Sequence, residues 1–479
     1  MKIFSAKQSA VIDRYTVEHE PVSEEDLIAR ASERLADWLS EHFGRGSEIL
    51  FFAGSGNNGK DAAVTATMMS KRGYRSSVHK VSQMRSVEDI PPIPPESIIV
   101  DGLFGSGLSR KIDDELLTAL IYAINHSGAK VVSIDIPSGL FMEDNRDNDL
   151  QNIVRADWTL TFQFPKLAMF FPENFQFTGD WQVLPIGLHE DIIAELYTPY
   201  FSIDKSDITD LLVRRKKFSH KGDYGHALLI AGSYGMGGAA ILSGRAAMRS
   251  GAGLLTAHIP EKLYSIVQVA VPEAICRIDP SASCFSEAGD ISGFNAIGVG
   301  PGLGMSGSTK QGVKNLLLKK PDRMVIDADA LNILSADRDI LSLLPAGAIL
   351  TPHPKEFERL AGVSADSYQR LAKQIEFSKR HGVIIVLKGA HTSVSTPDGK
   401  VYFNMTGNPG MSTAGSGDVL TGVILGLLSQ GCTPEQAAIA GVYLHGLCGD
   451  LAAKEKGENS LLAGDLVDYL GAAFLYCTR

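Results

Sequence analysis

"FFAGSGNNGKDAAVTATMMSKRGY" (residues 51–74) begins as an apolar strand and finishes as a helix, with three glycines, two asparagines and one aspartate in the turn between them. A strand that passes through such a turn into a helix predicts one unit of an α/β sheet. The flanking sequence repeats the pattern. Strand-length apolar runs recur at "EILFFAG", "SIIVDGLFG", "KVVSIDIPSG", "WTLTFQF" and "DWQVLPIGL", and helical stretches such as "DDELLTALIYAINHSG" separate the first three. Apolar strands alternating with helices predict a parallel sheet covered on both faces. Upstream, apolar positions in "EEDLIARASERLADWLSEHF" recur at three- and four-residue steps after Ser23, so residues 5–43 read as two amphipathic helices with Ser23 as an N-cap.

Patterning weakens around residues 188–212, and "LLVRRKKFSHKGDYG" opens a second alternating system. Its strands read "HALLIAG", "LLTAHIP", "AIGVGPG", "MVIDADAL", "AILTPHP", "VIIVLKG" and "SVSTPDGKVYFN", and its helices include "AAILSGRAAMRSGAG" and "GSGDVLTGVILGLLSQG". The boundary is expected near residue 205, giving domains 1–205 and 206–479, since 479 residues exceed one ordinary core. The run "RRKK" at 214–217 reads as a solvated linker. A formal charge of −10 argues against a sequence-independent grip on nucleic acid. Five cysteines without a C-x-x-C pair fit a reducing compartment. The first twenty residues lack the apolar core of a signal peptide, and the longest apolar stretch, "VLTGVILGLL", is too short to span a bilayer and reads as a buried helix. The expected location is cytoplasmic, with no membrane partner.

Ligands of open α/β sheets bind outside the carboxyl ends of the strands. Three strand ends of the first domain carry polar oxygens: Asn57, Asn58 and Asp61 after the first, Asp101 with "LFGSGLSRK" after the second, and Asp135 with Ser138 after the third. The glycines admit backbone N–H groups to a phosphate, and a helix starting near Asp61 adds its positive dipole end. Asn, Asp and Ser oxygens suit a hard cation. Any one such turn is explained better by side chains bonding their own backbone; three in one sheet favour a ligand instead.

The set "GSGNNGKD", "DGLFGSGLSR", "SIDIPSG" and "FQFPK" resembles the epimerase domain of the NAD(P)H-hydrate repair enzymes across nearly all of residues 1–200. That resemblance implies a Rossmann-like, doubly wound parallel sheet and a potassium ion held by Asn58, Asp101 and Ser138. It implies substrate contacts from Asn57, Asn58, Gly59, Lys60 and Asp61, from Gly105, Ser106, Gly107, Leu108, Ser109, Arg110 and Lys111, and from Asp135, with Asp135 the acid/base and Lys166 meeting an anionic group. Where the family carries glycines, this chain has Lys60 and Ala62, whose side chains are expected either to crowd the substrate phosphates or, for Lys60, to pair with them.

In the second domain "NPGMSTAGSGDVLTG" (408–422) is the informative stretch. Backbone N–H groups of Gly415, Ser416 and Gly417 at a helix N-terminus form an anion hole for a transferring phosphoryl group, and Asp418 in the same turn can take a proton from the attacking hydroxyl. "AGSYGMGGAA" and "GPGLG" follow strands as substrate-side loops, "TPHPKEFERL" fixes His353 between two prolines, and "IVLKGAHT" ends a strand with Lys388. Asp327 and Asp329 read equally well as N-caps for "ALNILSA".

Together with "SHKGDYG", "DADALN" and "GMSTAGSGDVL", these motifs resemble the ribokinase-like ADP/ATP-dependent NAD(P)H-hydrate dehydratase over about residues 210–479. The resemblance implies adenine-nucleotide contacts at Lys388, Gly389, Ala390, His391 and Thr392 and at Gly417, hydrate contacts at Ala239, Gly302, His353 and Asp418, Asp418 as catalytic base, and Mg²⁺ with ADP or ATP as co-substrate. The whole chain is therefore expected to be a bifunctional enzyme that epimerises the hydrates of NADH and NADPH and dehydrates the S form with release of AMP and phosphate, assembled as a homo-oligomer. The competing reading is a ribokinase-like kinase for a small alcohol, a vitamin or sugar, fused to a non-catalytic dinucleotide-binding domain.

Overall fold

The computed structural model describes residues 1–20 and 22–478, and the chain divides into two compact units, Met1–Tyr200 and Phe201–Arg479. Two helices open the first unit, Ala6–His19 and Glu24–His42. The second begins with a reciprocal cap: the Asp26 N–H donates to Ser23 Oγ, and the Ser23 N–H donates to the Asp26 carboxylate. The sheet follows, with β1 (Glu48–Ala53), β2 (Arg75–Lys80), β3 (Ile98–Gly102), β4 (Lys130–Ile134), β5 (Trp158–Phe162) and β6 (Asp180–Leu184). All pairings are parallel in the order β2-β1-β3-β4-β5-β6.

Successive residues of one apolar strand serve opposite cores. Ile49, Phe51 and Ala53 pack with Leu35, Leu39 and Met69 from the helices Glu24–His42 and Asn57–Lys71. Leu50 and Phe52 pack on the other face with Leu120, Ile121 and Ile124 of the helix Glu115–His126. Fully buried phenylalanines of this kind contribute about 2–3 kcal/mol each. The strand order reverses between β1 and β3, so a crevice opens at their carboxyl ends.

The second unit carries the rest of the strands: β7 (Tyr200–Ile203, its first residue in the preceding unit), β8 (His226–Ile230), β9 (Leu254–Pro260), β10 (Ile275–Asp279), β11 (Ala296–Val299), β12 (Met324–Ile326), β13 (Ile349–Leu350), β14 (Ile384–Leu387), β15 (Ser393–Ser395) and β16 (Val401–Asn404). The order is β10-β9-β8-β11-β12-β13-β14-β15-β16-β7, parallel from β10 to β14 and antiparallel through β15 and β16. The stretch 393–404, expected as one strand, is thus a hairpin.

The helix Ser416–Ser429 is buried from Val419 to Ser429. It lies so close to the helix Gly237–Arg249 that a Cβ on Gly422 would stand 2.2 Å from the Ser243 carbonyl oxygen. The apolar run that contains it is an interior helix, and no helix among the described residues is long and apolar enough to cross a membrane.

Candidate active sites

At the β1/β3 crevice lies a cavity of about 890 Å³. Its lining includes Asn57, Asn58, Asp61, the 105–110 loop, Asp135 and Lys166; Gly59, Lys60 and Lys111 are not part of it. The reason is the helix start. The sequence placed it near Asp61, whereas the helix begins at Asn57 behind an N-cap at Gly56 with no side-chain cap. At 3.6 residues per turn, 57, 58 and 61 then share the cavity face, and 60, a neighbour of 57 one turn on, falls at its edge. Lys60 pairs at 2.8 Å with Glu24 on the surface. Ala62 is fully buried, and its Cβ lies only 2.6 Å from where a Cβ on Gly102 would stand. Neither side chain crowds the cavity. Gly59 serves packing: a Cβ there would sit 2.0 Å from the Gly54 carbonyl oxygen. The uncapped first N–H groups of this helix open beside the cavity, ready for an anion.

Asp101, at the end of β3, is completely buried. Its carboxylate accepts from Ser138 Oγ at 2.6 Å, Ser133 Oγ at 2.8 Å, the Ser138 N–H at 2.9 Å and the Leu103 N–H at 3.2 Å. Burial nevertheless raises its pKa, and no cationic side chain pairs with it among the described residues. Asn58 Nδ2 donates to the carbonyls of Phe104 (2.8 Å) and Ile134 (3.1 Å), and the Phe104 N–H donates to Ser138 Oγ. Asn58, Asp101 and Ser138 therefore belong to one buried, oxygen-rich knot.

Asp135 follows β4 in the left-handed region, at φ +64°, a conformation that non-glycine residues adopt at a cost of about 1–3 kcal/mol. The turn aims its carboxylate at Lys166 Nζ, 2.7 Å away, with both side chains almost fully buried. Lys166 also donates to the Phe162 and Phe164 carbonyls, and the Phe162 N–H donates to Asp135. Asp61, in the same lining, is 7% exposed. Its pKa is pushed up to about 8, first by burial, then by Asp135 and Asp13. Asp13, from the first helix, lines the same cavity and was missed in the sequence, where it is one more polar position of an amphipathic helix.

In the second unit Gly415 caps the helix Ser416–Ser429 at φ +90°, where a Cβ would stand 2.5 Å from Leu242 Cδ1. No side chain caps this terminus; the Ser416 N–H, expected in the anion hole, donates instead to the Thr413 carbonyl, and the Gly417 and Asp418 N–H groups are the ones an anion can reach. Lys388 Nζ lies 3.3 Å from where a Cβ on Gly417 would be. It is held there by Asp327 at 3.0 Å, with Glu356 at 4.0 Å. Asp327, only 1% exposed, also accepts from Thr421 Oγ1 at 2.8 Å. Asp418 is pushed up to about 6 by burial first and Asp327 second, with Lys388 opposing. His445 donates Nε2–H to the Ser416 carbonyl at 2.9 Å, and burial pushes its pKa down to about 4, so it stays neutral.

The remaining expected residues stand on loops of the same unit. The Lys388 N–H donates to the Pro352 carbonyl, beside His353. His353 is the N-cap of the helix Pro354–Ala361: Nδ1 accepts from the Lys355 and Glu356 N–H groups, and Glu356 accepts from the His353 N–H. Gly302 stands against Ala239, a Cβ on it falling 3.0 Å from the alanine Cβ. Gly389 and Thr392 close a turn on each other through Thr392 Oγ1, exposed Ala390 sits within it, and His391 Nδ1 lies 3.1 Å from the Asn404 carbonyl. Neither aspartate of "DAD" caps its helix. Asp327 occupies the N-cap position without a capping bond, and Asp329 accepts from the Gly304 N–H at 2.7 Å. Asp327, Glu356 and Thr421 thus support the site without having been read as part of it.

Fold and sites define a two-domain α/β enzyme, a doubly wound sheet followed by a ribokinase-like domain. Residues 227–471 match the NAD(P)H-hydrate dehydratase family, and residues 24–90 and 75–168 match the YjeF-related protein N-terminus. The bifunctional NAD(P)H-hydrate repair enzyme of Moorella thermoacetica is 33% identical over 98% of this chain and 96% of its own length. Among solved structures, the ADP/ATP-dependent NAD(P)H-hydrate dehydratase of Bacillus subtilis, co-crystallised with ATP and Mg²⁺, is 34% identical over 58% of this chain and 98% of its own, with a TM-score of 0.50. A ribokinase-like superfamily protein of Enterococcus faecalis is 29% identical over 59% and 99%, with a TM-score of 0.53. This chain belongs to the family of bifunctional NAD(P)H-hydrate repair enzymes.

Proposed function

We propose that the chain returns hydrated NADH and NADPH to the intact coenzymes, the first unit interconverting the R and S hydrates and the second dehydrating the S form at the expense of a nucleotide. The carrying observation is Asp418 in the first turn of an uncapped, buried helix, with Lys388 held over Gly417 by Asp327. A carboxylate raised to about 6 is ionised at neutral pH yet more basic than a surface acid. Asp418 takes the proton of the hydrate's ring hydroxyl, whose oxygen attacks the terminal phosphorus of the nucleotide. Lys388 and the N–H groups at 417 and 418 face the charge on the transferring group. Phosphate is then a good leaving group. The ring nitrogen expels it, loss of the adjacent carbon-bound proton restores the double bond, and ADP leaves as AMP. Mg²⁺ binds through one or two carboxylates together with phosphates. It would arrive with the nucleotide, near Asp327 and Asp329, and screen the phosphate charge.

In the first unit the uncapped helix at Asn57 faces the substrate pyrophosphate and the Asp135–Lys166 pair faces the ring. Potassium fits the knot of Asn58, Asp101 and Ser138, since Asp101 is a buried acid without a protein cation and every side chain offers oxygen. It would supply the positive charge that keeps Asp101 ionised and joins the β3 and β4 turns.

The test incubates the purified chain with the epimer mixture and either ADP or ATP, with potassium or choline as the salt. Reduced-nicotinamide absorbance should return for the whole mixture with stoichiometric phosphate release. A stable phosphorylated product would mean a kinase, and half of the hydrate left untouched would remove the epimerase.

A further inference from the structure

The cavity of the first unit holds two buried carboxyl groups in opposite environments. Asp135 has Lys166 at 2.7 Å and receives the Phe162 N–H. Asp61 has neither: among the described residues its carboxyl has no hydrogen-bond or ion-pair partner, although it is 7% exposed and lines the cavity. The residue before it, Lys60, is engaged with Glu24 at the rim of the cavity. Only the backbone of Asp61 is tied down, its carbonyl accepting from Ser32 Oγ at 3.2 Å. A buried acid left without a partner is costly unless it is neutral or has a ligand to meet.

We propose that Asp61 is the general acid of the epimerisation and Asp135 its general base, so that the two carboxyls act on opposite faces of the hydrated ring. The inference rests on the epimerase reading above and adds to it the division of labour. Asp61 donates its proton to the ring hydroxyl. The carbon–oxygen bond breaks with its electron pair on oxygen, and water leaves. The lone pair of the ring nitrogen forms a carbon–nitrogen double bond. A water on the other face then attacks the same carbon, the double-bond electrons return to nitrogen, and the proton lost by that water goes to Asp135. Solvent returns the proton to Asp61, so atoms and charge balance over the cycle. In the reverse direction the two acids exchange roles.

Burial and the carboxylates of Asp135 and Asp13 act together to keep Asp61 protonated, against Lys60 on its own helix. Lys166 is committed to Asp135, and Arg14, Glu18, Glu24 and Arg110 line the same cavity. A carboxyl kept protonated by burial beside a second one paired with a lysine is the usual arrangement of an acid and a base in one site.

The experiment compares the wild-type chain with Asp61→Asn and Asp61→Ser at saturating potassium. R-to-S conversion is followed chromatographically, and incorporation of ¹⁸O from labelled water is read in the same samples. Both variants should lose at least 100-fold in kcat with KM for the hydrate within threefold, and label uptake should fall in parallel. The wild-type rate should decline above about pH 8, a limb absent from the residual activity of Asp61→Asn. An infrared band of a protonated carboxyl, present in the wild type at pH 7, should disappear in Asp61→Asn, and this readout is independent of turnover. Intact kcat with raised KM, an unchanged pH profile, or no such band would overturn the assignment of Asp61. A wild-type chain that does not epimerise would instead overturn the epimerase reading itself.

Discussion

Replacing Asp418 by asparagine should lower activity and raise stability together. In the unfolded chain this acid has its ordinary pKa of 3.8, and in the folded protein burial, then Asp327, push it up to about 6. Below the lower value both states are protonated and the group contributes nothing. Between the two, unfolding releases a proton, so rising pH favours the unfolded chain, and above about 6 the penalty is complete. Two pKa units correspond to about 3 kcal/mol, and solvent around this partly exposed side chain reduces that to about 1–3 kcal/mol. Asparagine has the same shape and no charge. Its thermal unfolding should match the wild type at acid pH and exceed it by several degrees at pH 8, at about 2–4 °C per kcal/mol. Phosphate release from the same preparation should fall by about 10²–10⁴, the usual contribution of a general base. A local disruption would move both quantities downward. Turnover within threefold of wild type, or a stability gain that does not grow with pH, would refute the assignment.

Lys388→Ala leaves buried Asp327 with Thr421 as its remaining side-chain partner. Nucleotide turnover should therefore drop at least 100-fold, and the second unit should unfold at lower temperature, by about 1–3 kcal/mol; unchanged melting would contradict the pairing. Asp101→Asn removes the charge of the oxygen knot while keeping its shape, so epimerisation should lose its response to potassium over choline while dehydration of the S hydrate is unaffected. Lys60→Ala should leave epimerisation within twofold of wild type, since the side chain meets Glu24 at the surface; a larger loss would put Lys60 back at the substrate.

Strand ends were legible because an apolar run closing on Asp, Asn or Gly marks both the end of burial and the start of the crevice, as at Asp101 and Asp135. The edge strands β2 and β10 were not. Both are half exposed, and "RSSVHK" in β2 has no apolar run to betray it. The fate of Lys60 turned on a boundary rather than on chemistry: with the helix begun at Asn57, Asp61 faces the crevice and Lys60 falls at the edge of that face, where Glu24 takes its ammonium, whereas a helix begun near Asp61 leaves position 60 in the turn. The Asp327–Lys388 pair was hidden for another reason. Its members stand 61 residues apart, and the acid reads as an N-cap until β12 and β14 bring it beside Lys388. That one ammonium serves Asp327 directly and Asp418 through space, with Glu356 also at 4.0 Å. A nucleotide phosphate that drew Lys388 toward itself would strip compensation from both, making Asp418 a stronger base just as the hydroxyl proton has to be taken.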